Sequence, residues 1–562
     1  MKFDALRHAM WQRLTQSPHL RADLLAAFVV SVLLIPQSLA YAMLAGLSPQ
    51  VGLYASLLPL LAYAALGSSP VLAVGPVAVL ALMIAQTLGG LPPGIGAEAG
   101  ALVLAAEMGL ILLLAAALRL HALAALLSVP VLQGFEIGAT LSIALSQLPV
   151  LVGSQVQGVE LGTLVQETWR HGLSWHTATL VFGAGACGLL LLSRRLLPPT
   201  LARLAPLIVL LGAVLLSWLL NAGNLGIKLL GSLPQMQLRF TLPLLNPSVW
   251  LALLPNALLL ALMAYVSSLV VAESLARKRG ERVNEAAELC GLGLANWVSA
   301  FSGGMPVAGS FSRSVLLHDA GSRTRLSGAV VALFMYLAML LLAAPLAWLP
   351  KSVLSATILV AVLSGLRLSH FTEAWAYSRR EALLMGLVMV TVLCVNLALG
   401  LGLGVLGSIA LLLQRSARPH VALLGRVPGT EHYRNVDRHA VELQADVLGL
   451  RIDESLLFTN ARTLSDVVQG FLVVQPQARR VLLMMSPVNS IDFSGLEALK
   501  DLHDALKVQG LRLDLSEVKG PVLDRLRAGH WERWFEGQLF LSYHQGITAG
   551  ERPLRDDPVP VI

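Results

Sequence analysis

The segment Gly303-Gly304-Met305-Pro306-Val307-Ala308-Gly309-Ser310-Phe311-Ser312-Arg313-Ser314 lies between long apolar stretches, yet it carries small residues, hydroxyl groups and one arginine. A charged side chain at membrane depth is costly and is usually retained for a partner or a substrate. The small residues and the proline predict a short helix that begins partway into a bilayer. The first turn of such a helix presents free backbone N–H groups, which together with the guanidinium and the serine hydroxyls are typical of an anion-binding site.

The composition around this segment is that of a polytopic membrane protein. Hydrophobic residues make up 56% of the 562 residues and charged residues 13%, and the mean hydropathy is +0.71. After Arg415 the composition becomes that of a soluble domain. We therefore expect a cytoplasmic N-terminal segment at residues 1–22, a membrane domain at 23–417 embedded in the lipid bilayer, and a soluble domain and tail at 418–562.

Charge and cysteine usage exclude several classes of protein. The net charge of +7 is spread between apolar stretches, which indicates membrane topology and no nucleic-acid partner. Three cysteines without a Cys/His cluster predict no disulfide framework, no metal site and no cofactor. No combination of nucleophile and base is apparent, so an enzyme is not expected.

The apolar stretches predict fourteen membrane segments. We place them near Leu24–Ala45, Val51–Leu66, Pro76–Leu88, Ala99–Leu118, Val129–Val152, Thr179–Leu192, Leu204–Leu220, Leu251–Ala272, Ala286–Phe301, Gly309–Leu317, Leu326–Leu346, Ser352–Leu366, Ala382–Leu397 and Leu401–Leu413. From the fourth segment on, basic clusters follow the even-numbered segments. By the positive-inside rule both termini are then cytoplasmic, and we expect the inner (plasma) membrane as the location.

The two halves of this membrane region look related. In each half the third segment is short and is introduced by glycine and proline, as Val74-Gly75-Pro76-Val77-Ala78 and as Met305-Pro306-Val307-Ala308-Gly309-Ser310. Short, interrupted segments at matching positions are typical of transporters with an inverted repeat and a binding site near the bilayer midplane. Kinked, closely packed helices would produce a similar pattern, but the arginine favours the functional interpretation.

Four stretches of this sequence carry a resemblance to a known family. They are Asp23–Tyr54 with Ile35-Pro36-Gln37-Ser38-Leu39-Ala40-Tyr41-Ala42, then Val74–Ala78, the loop Ala276–Val283, and Gly309–Ser314. These stretches resemble the signatures of SulP anion transporters, the sulfate permease family. The resemblance implies two intertwined inverted repeats of seven segments, a core domain that binds the anion, a gate domain that faces it, and commonly a homodimer. The family transports sulfate, bicarbonate, chloride and other small anions or dicarboxylates.

The resemblance also implies where the small anion substrate binds. The site would form where the third and tenth segments meet head to head, and sulfate is the expected substrate. A packing hydrogen bond for Gln37 and a packed aromatic ring for Tyr41 are the structural alternatives. The residues at positions that match the family's site are Gln37, Tyr41, Val77, Ala78, Ser310, Phe311, Ser312 and Arg313.

Coupling is where the sequence departs from the family. Many members carry an acidic residue in the eighth segment, but Ser267 occupies that position here. We therefore expect no sodium coupling. Glu136 lies in an otherwise apolar segment and is the favoured proton-coupling candidate, with Glu107 second. An enclosed carboxyl prefers its neutral form, so a change in charge at either residue could bias transport.

The C-terminal region predicts an alternating α/β fold. Val481–Met485 and Leu511–Leu515 are expected strands, and a helix follows Ile491-Asp492-Phe493-Ser494-Gly495 with Asp492 or Ser494 as its N-cap. This region resembles the STAS domain found after SulP transporters, where a cytoplasmic regulatory protein could bind. Ser494 matches a phosphorylated position of some STAS proteins, although a capping role is favoured. An uncoupled anion channel and a membrane-tethered anion sensor that signals through the STAS domain remain alternatives.

Overall fold

The computed structural model describes residues 20–121, 127–156, 158, 161–172, 174–231 and 240–549. Most of the expected N-terminal segment, residues 1–19, therefore lies outside the described residues. The chain divides into two compact units, Met1–Ser408 and Ile409–Ile562.

The first half of the membrane unit is helical, with one very short strand. Its second expected membrane segment, Val51–Leu66, corresponds to the candidate span Pro49–Leu66, which a turn at residues 55–57 divides into two helices. The elements are α1 Leu20–Leu44, α2 Pro49–Tyr54, α3 Leu58–Leu66, β1 Val74–Gly75, α4 Ala78–Gly89, α5 Ala97–Ala117, α6 Val129–Val152, α7 Leu161–His171, α8 Thr177–Leu196 and α9 Pro199–Leu219.

The second half follows the same order. Short additional helices, α7 in the first half and α15 in the second, occupy equivalent positions between the fifth and sixth segments of their halves. The elements are α10 Pro247–Arg279, α11 Glu285–Phe301, β2 Ala308–Gly309, α12 Phe311–Asp319, α13 Leu326–Leu346, α14 Lys351–Leu363, α15 Ser369–Tyr377, α16 Arg379–Cys394 and α17 Leu397–Ala417.

Several of these helices could cross a membrane on their own. Among the described residues, seven helical stretches have sufficient length and apolarity. The helices α4 and α12, at only 12 and 9 residues, cannot span about 30 Å of hydrocarbon alone, since an α-helix rises 1.5 Å per residue. They must begin inside the protein, as the sequence predicts for both.

Local sequence signals explain where the long helices start and stop. The Asn246 side chain accepts a hydrogen bond from the Ser248 amide at the start of α10, and Asn284 accepts one from the Ala287 amide at the start of α11. Helix α6 ends at Gly153 and α10 at Gly280, both in the left-handed conformation that glycine adopts without strain.

Two groups of helices make up the membrane unit, and each combines both halves of the chain. In one group α5 packs against α10 and α11, and α1 packs against α12 and α13. In the other, α6 packs against α14 and α16, and α8 packs against α9 and α14. We name the first group, α1–α5 with α10–α13, the core, and the second group, α6–α9 with α14–α17, the gate.

Small residues allow the closest helix contacts. A Cβ atom on Gly109 of α5 would lie 2.6 Å from the Trp297 backbone nitrogen of α11, and one on Gly293 would lie 3.0 Å from the Leu113 nitrogen. In α6, a Cβ atom on Gly134 would lie 2.4 Å from the Met385 carbonyl oxygen of α16. In lipid there is no hydrophobic driving force between helices, so the van der Waals contacts of such closely packed backbones hold the helices together.

The C-terminal unit is a six-stranded sheet with helices. Its strand order is β4-β3-β5-β6-β7-β8, with β5 to β8 parallel and β3 antiparallel to both of its neighbours. The elements are β3 Val421–Arg426, β4 Tyr433–Asn435, β5 Val447–Ile452, α18 Thr463–Val474, β6 Arg480–Met484, α19 Phe493–Val508, β7 Arg512–Ser516, α20 Gly520–Ala528, β8 Leu539–Phe540 and α21 Tyr543–Thr548.

The two expected strands at 481–485 and 511–515 correspond to β6 and β7, displaced by one residue. The N-cap of α19 is Asp492, whose carboxylate accepts a hydrogen bond from the Gly495 amide at 2.8 Å. The capping role favoured for Ser494 is therefore wrong, and this residue is exposed in the first turn of the helix. Leu456 and Ile491 form an isolated parallel bridge.

Candidate functional site: an anion site between two helix starts

Two short strands join the repeats in the middle of the membrane unit. Strands β1 and β2 pair antiparallel, with Val74 opposite Gly309 and Gly75 opposite Ala308. Two further hydrogen bonds extend the pairing: the Ser310 amide donates to the Ala73 carbonyl oxygen at 3.0 Å, and the Ala73 amide donates to the Ser314 hydroxyl at 2.9 Å. Each of these hydrogen bonds satisfies a backbone polar group that would otherwise be unpaired at membrane depth.

This pairing places the starts of α4 and α12 head to head. Each strand leads directly into its helix, and because the strands are antiparallel the helices run in opposite directions. The N-cap residues, Val77 and Ser310, make no side-chain capping hydrogen bond to the backbone N–H groups of their helices. The first-turn N–H groups of both helices therefore remain uncapped by side chains, and the positive ends of both dipoles point toward one region.

Arg313 lies in the first turn of α12 and is buried, with 1% of its surface exposed. Its Nη1 group donates a hydrogen bond to the Gln37 amide oxygen of α1 at 3.2 Å. Its Nε and Nη2 groups are buried and have no hydrogen-bond partner in the described part of the chain. A guanidinium held by one neutral amide keeps its charge uncompensated, and two of its donor groups are free for an anion.

The other predicted site residues surround this guanidinium to different extents. Tyr41 is buried one helical turn after Gln37 in α1 and lies within range of electrostatic interaction with Arg313. Phe311 is 57% exposed although it lies at the start of a core helix, and Ser312 is exposed beside it. Two side chains in the first turn of α12 are therefore accessible at the protein surface. Ala78 begins α4, and the Ser310 and Ser312 hydroxyl oxygens are 3.4 Å apart.

Three residues that the sequence analysis missed hold the strand before α12. The Asn296 side chain accepts a hydrogen bond from the Val307 amide at 2.8 Å and donates one to the Val307 carbonyl at 3.0 Å. Ser299 donates to the Met305 carbonyl at 2.6 Å, and Ser268 accepts from the Gly309 amide at 2.8 Å. A polar residue inside an apolar helix, such as Asn296, was the available signal.

Two buried acids, also missed, hold loops at the other end of the core. The Asp23 carboxylate accepts hydrogen bonds from the Arg323 and Thr324 amides at 2.7 and 3.2 Å. The Glu288 carboxylate accepts from the Tyr63 hydroxyl and from the amides of Ser68 and Ser69, each at about 3 Å. These bonds fix the segment before β1 and the segment after α12.

The coupling candidates lie apart from the arginine. The Ser267 hydroxyl donates only to the Ala264 carbonyl of its own helix, at 3.3 Å. Glu136 is exposed and lies about 200° around α6 from Gly134, the residue that meets α16. Within the described residues, neither side chain hydrogen-bonds to Arg313 or Gln37. Glu107 differs from both, because it is 2% exposed and neither of its carboxylate oxygens has a partner in the described part of the chain.

The C-terminal unit has a polar cavity of about 560 Å³ beside the ends of β4 and β5. Asp453 lines it and accepts hydrogen bonds from Arg451 Nη2 and His420 Nδ1, both at 2.9 Å. Burial would raise the pKa of the Asp453 carboxyl, but these hydrogen bonds and the neighbouring positive charges outweigh burial and lower the pKa. The same pairing raises the pKa of Arg451.

Comparison with known proteins identifies the class to which this fold and site belong. The profile described as the sulfate permease family matches residues 20–388, and the profile of the STAS domain matches residues 439–546. The chain is a polytopic anion transporter with a C-terminal STAS domain, and it belongs to the sulfate permease family. The members of this family are membrane transporters and not enzymes.

Individual relatives match over nearly the whole chain. A probable sulfate transporter of Mycobacterium tuberculosis is 32% identical over 544 residues, which cover 95% of this chain and 96% of the relative. Probable sulfate transporter 4.2 of Arabidopsis thaliana is 30% identical over 551 residues, covering 94% of this chain and 81% of the relative.

Solved structures share the fold. The murine solute carrier 26 family member A9 anion transporter, in its inward-facing state, matches with a TM-score of 0.86 at 22% identity, covering 96% of this chain and 92% of that chain. The transmembrane domain of a cyanobacterial bicarbonate transporter matches with a TM-score of 0.60 at 20% identity, covering 70% of this chain and 98% of that chain. The predicted fold of about fourteen membrane segments in two inverted repeats, followed by a STAS domain, is confirmed.

Proposed function

We propose that the protein is a secondary transporter of the inner membrane that binds sulfate between the starts of α4 and α12. The observation that carries this proposal is the buried Arg313 guanidinium, with free Nε and Nη2 groups, between two uncapped helix N-termini. Backbone N–H groups and a guanidinium match the oxygens of a tetrahedral dianion. Gln37, Tyr41, Val77, Ala78, Ser310, Phe311 and Ser312 complete the proposed site.

Such a site suits transport because Arg313 supplies only one full positive charge to a dianion. Partial charges at two helix ends supply the rest of the attraction, so the anion is held and can also be released. Two of the relatives described above are named probable sulfate transporters, which supports sulfate over bicarbonate, chloride or dicarboxylates. The proposed domain limits are 23–417 for the transport domain and 418–562 for the STAS domain and tail.

Uptake by proteoliposomes tests this proposal. Sulfate, bicarbonate, chloride, nitrate, fumarate and succinate would be offered separately to the parent, to Arg313→Ala, and to Arg367→Ala as a control for loss of an exposed arginine. We expect saturable sulfate uptake by the parent and the control, and its near loss in Arg313→Ala. Normal sulfate uptake by a well-folded Arg313→Ala variant would disprove the site.

An uncoupled anion channel is the second candidate, and Ser267 favours it. Helix α10 has no acidic residue before Glu273, so the position where many family members carry a coupling carboxylate offers only a hydroxyl. We expect that a sodium gradient does not drive uptake, because one hydroxyl is a poor ligand for a hard cation. Flux that rises linearly with anion concentration would favour the channel, whereas saturation favours the carrier.

Sidedness and assembly complete the proposal. Basic clusters follow the even-numbered segments from the fourth onward, so we place both termini and the STAS domain in the cytoplasm. We propose a homodimer in the bilayer, with the polar cavity beside Arg451 and Asp453 as a candidate surface for a cytoplasmic regulatory protein. Cross-linking in native membranes tests the dimer, and accessibility of a C-terminal tag to protease tests the sidedness.

A further inference from the structure

A second polar group is enclosed in the core, away from Arg313. Glu107 lies near the middle of α5, and its neighbours Val103, Leu104 and Met108 are fully buried. Neither carboxylate oxygen has a hydrogen-bond partner in the described part of the chain. A carboxylate in such surroundings is costly when ionised and tolerable when protonated. The geometry therefore holds Glu107 in its protonated, uncharged form in this conformation.

Helix geometry shows which neighbour Glu107 faces. Gly109 meets α11, and Glu107 lies about 200° around the helix from it, on the opposite side. Gly100 lies one heptad before Glu107 and so on the same side, and a Cβ atom there would be 2.6 Å from Leu91 and 2.9 Å from Leu88. Leu88 belongs to the end of α4 and Leu91 follows it. Glu107 therefore lies on the side of α5 that faces α4.

The depth of Glu107 follows from the same contacts. Because α4 and α5 are connected by a short loop and run antiparallel, seven residues from Gly100 to Glu107 correspond to about seven residues back along α4 from Leu88. This brings Glu107 roughly level with Ala81, in the first turn of α4. Contacts with α11 place Glu107 at the same depth. Gly109 lies opposite Trp297, so Glu107 is level with Ser299, which donates a hydrogen bond to the Met305 carbonyl.

Charged groups on the neighbouring helices are distant from Glu107. Helix α4 has no titratable residue, and those of α11 are Glu285, Glu288 and Cys290, near its start. Glu288 is level with about residue 118 of α5, roughly 16 Å along the axis from Glu107. On α10, Tyr265 donates to the His121 carbonyl beyond the end of α5, and Glu273, Arg277, Lys278 and Arg279 follow it. Among the described residues of these helices, no compensating cation is therefore near Glu107.

We propose that Glu107 is the proton-binding site of the transport cycle, and that its charge controls anion binding through the start of α4. This rests on the proposed function of the Arg313 site. An anion at that site and an ionised Glu107 would both lie near the positive end of α4 and repel each other. With protonated Glu107 the repulsion is absent. One proton, bound as the carboxylate becomes the carboxylic acid, thus accompanies each anion.

The size of this coupling can be estimated. A carboxylate and a sulfate dianion on the order of 10 Å apart, at an effective dielectric constant of about 20, repel enough to weaken anion binding by on the order of a hundred-fold. Glu136, which the sequence favours for coupling, is exposed on α6 and lacks the complete enclosure of Glu107. The structure therefore assigns the coupling proton to Glu107.

Proton-driven sulfate accumulation tests this proposal in full-length protein reconstituted into liposomes. The parent, Glu107→Gln and Glu136→Gln would be compared in two assays: sulfate–sulfate exchange without a gradient, and accumulation driven by a pH gradient, with a pH-sensitive dye in the lumen. We expect all three to exchange sulfate. We expect the parent and Glu136→Gln to accumulate sulfate and to move protons, and we expect Glu107→Gln to do neither. The sulfate affinity of Glu107→Gln should vary less than two-fold between pH 6 and pH 8.

Three results would overturn the proposal. The first is gradient-driven accumulation by Glu107→Gln equal to that of the parent. The second is loss of coupling in Glu136→Gln with Glu107→Gln unchanged, which would restore the prediction from the sequence. The third is exchange by the parent that a pH gradient never drives. A parent that does not exchange sulfate at all overturns the proposed function as well, so the two failures are distinguishable.

Discussion

Replacement of Arg313 by methionine should stabilise the empty protein while it abolishes anion binding. The guanidinium is 1% exposed, and its one hydrogen bond in the described chain is to the neutral Gln37 amide at 3.2 Å. An isolated buried charge is destabilising, because its lost hydration is not repaid by an opposite charge. Methionine has a similar length and fills the same space without a charge.

The expected gain follows from comparable replacements. Apolar side chains in place of buried ionic groups often stabilise proteins by about 1–4 kcal/mol, and loss of the hydrogen bond to Gln37 offsets about 1 kcal/mol of this. A net gain of about 1–3 kcal/mol would raise the apparent melting temperature of a unit of this size by about 1–4 °C. Sulfate at about 100 times its dissociation constant should stabilise the parent by about 2.7 kcal/mol and Arg313→Met by nothing.

Intrinsic fluorescence of detergent-solubilised protein can follow the melting, since the chain has 10 tryptophans. The parent, Arg313→Met and Arg367→Met, the last at an exposed position, would each be heated with and without sulfate. A lower melting temperature for sulfate-free Arg313→Met than for the parent would refute our account of an uncompensated charge. A sulfate-dependent rise in Arg313→Met equal to that of the parent would place the anion elsewhere.

Three further predictions concern the supports of the site and the C-terminal unit. Asn296→Leu leaves the Val307 amide and carbonyl unpaired and should lower the free energy of unfolding by about 2–5 kcal/mol. The control Ser352→Ala removes a buried hydroxyl without a partner in the described chain and should lower it by less than about 1 kcal/mol. Thermal melting compares the two variants, and equal losses of stability would contradict the role of Asn296. A chain that ends after Arg418 should keep sulfate-dependent stabilisation in the same assay, because domains with their own cores are separable; loss of binding in a folded truncated protein would argue against this. The lowered pKa of Asp453 contributes stability that is present above the usual carboxyl range and is lost as pH falls through the lowered pKa. Asp453→Asn should therefore increase hydrogen exchange in β3 and β5 at neutral pH, with a difference from the parent that shrinks on acidification; a constant difference would refute the electrostatic cause.

Patterns within single segments predicted much of the fold. Glycine and proline before two short apolar runs predicted paired half-length helices, and β1 and β2 join the repeats at those positions. Hydropathy could not predict the break between α2 and α3, since both pieces are apolar and the interruption at Ala55–Leu57 is stabilised by tertiary packing. Helix α7 is too polar to register as a membrane segment, so it was not expected.

Side-chain environments were harder to predict than elements. Glu107 and Glu136 are both acids in apolar helices, and the sequence cannot tell which one faces neighbours on all sides. That depends on the contacts of α5 with α4, α10 and α11, which no local periodicity encodes. The same holds for Asn296, whose partner Val307 lies 11 residues later but across a turn whose shape depends on Gly303 and Gly304.

The ladder between β1 and β2 makes the length of its connecting segments more important than their chemistry. Most side chains there could change while the backbone pairing persists, except at Gly309, where a Cβ atom would lie 2.7 Å from Leu72. Insertion of one residue before Gly75 would instead slide the register and exchange inward for outward positions along β1. One alanine inserted before Gly75 should therefore damage this pairing more than several substitutions outside the site residues.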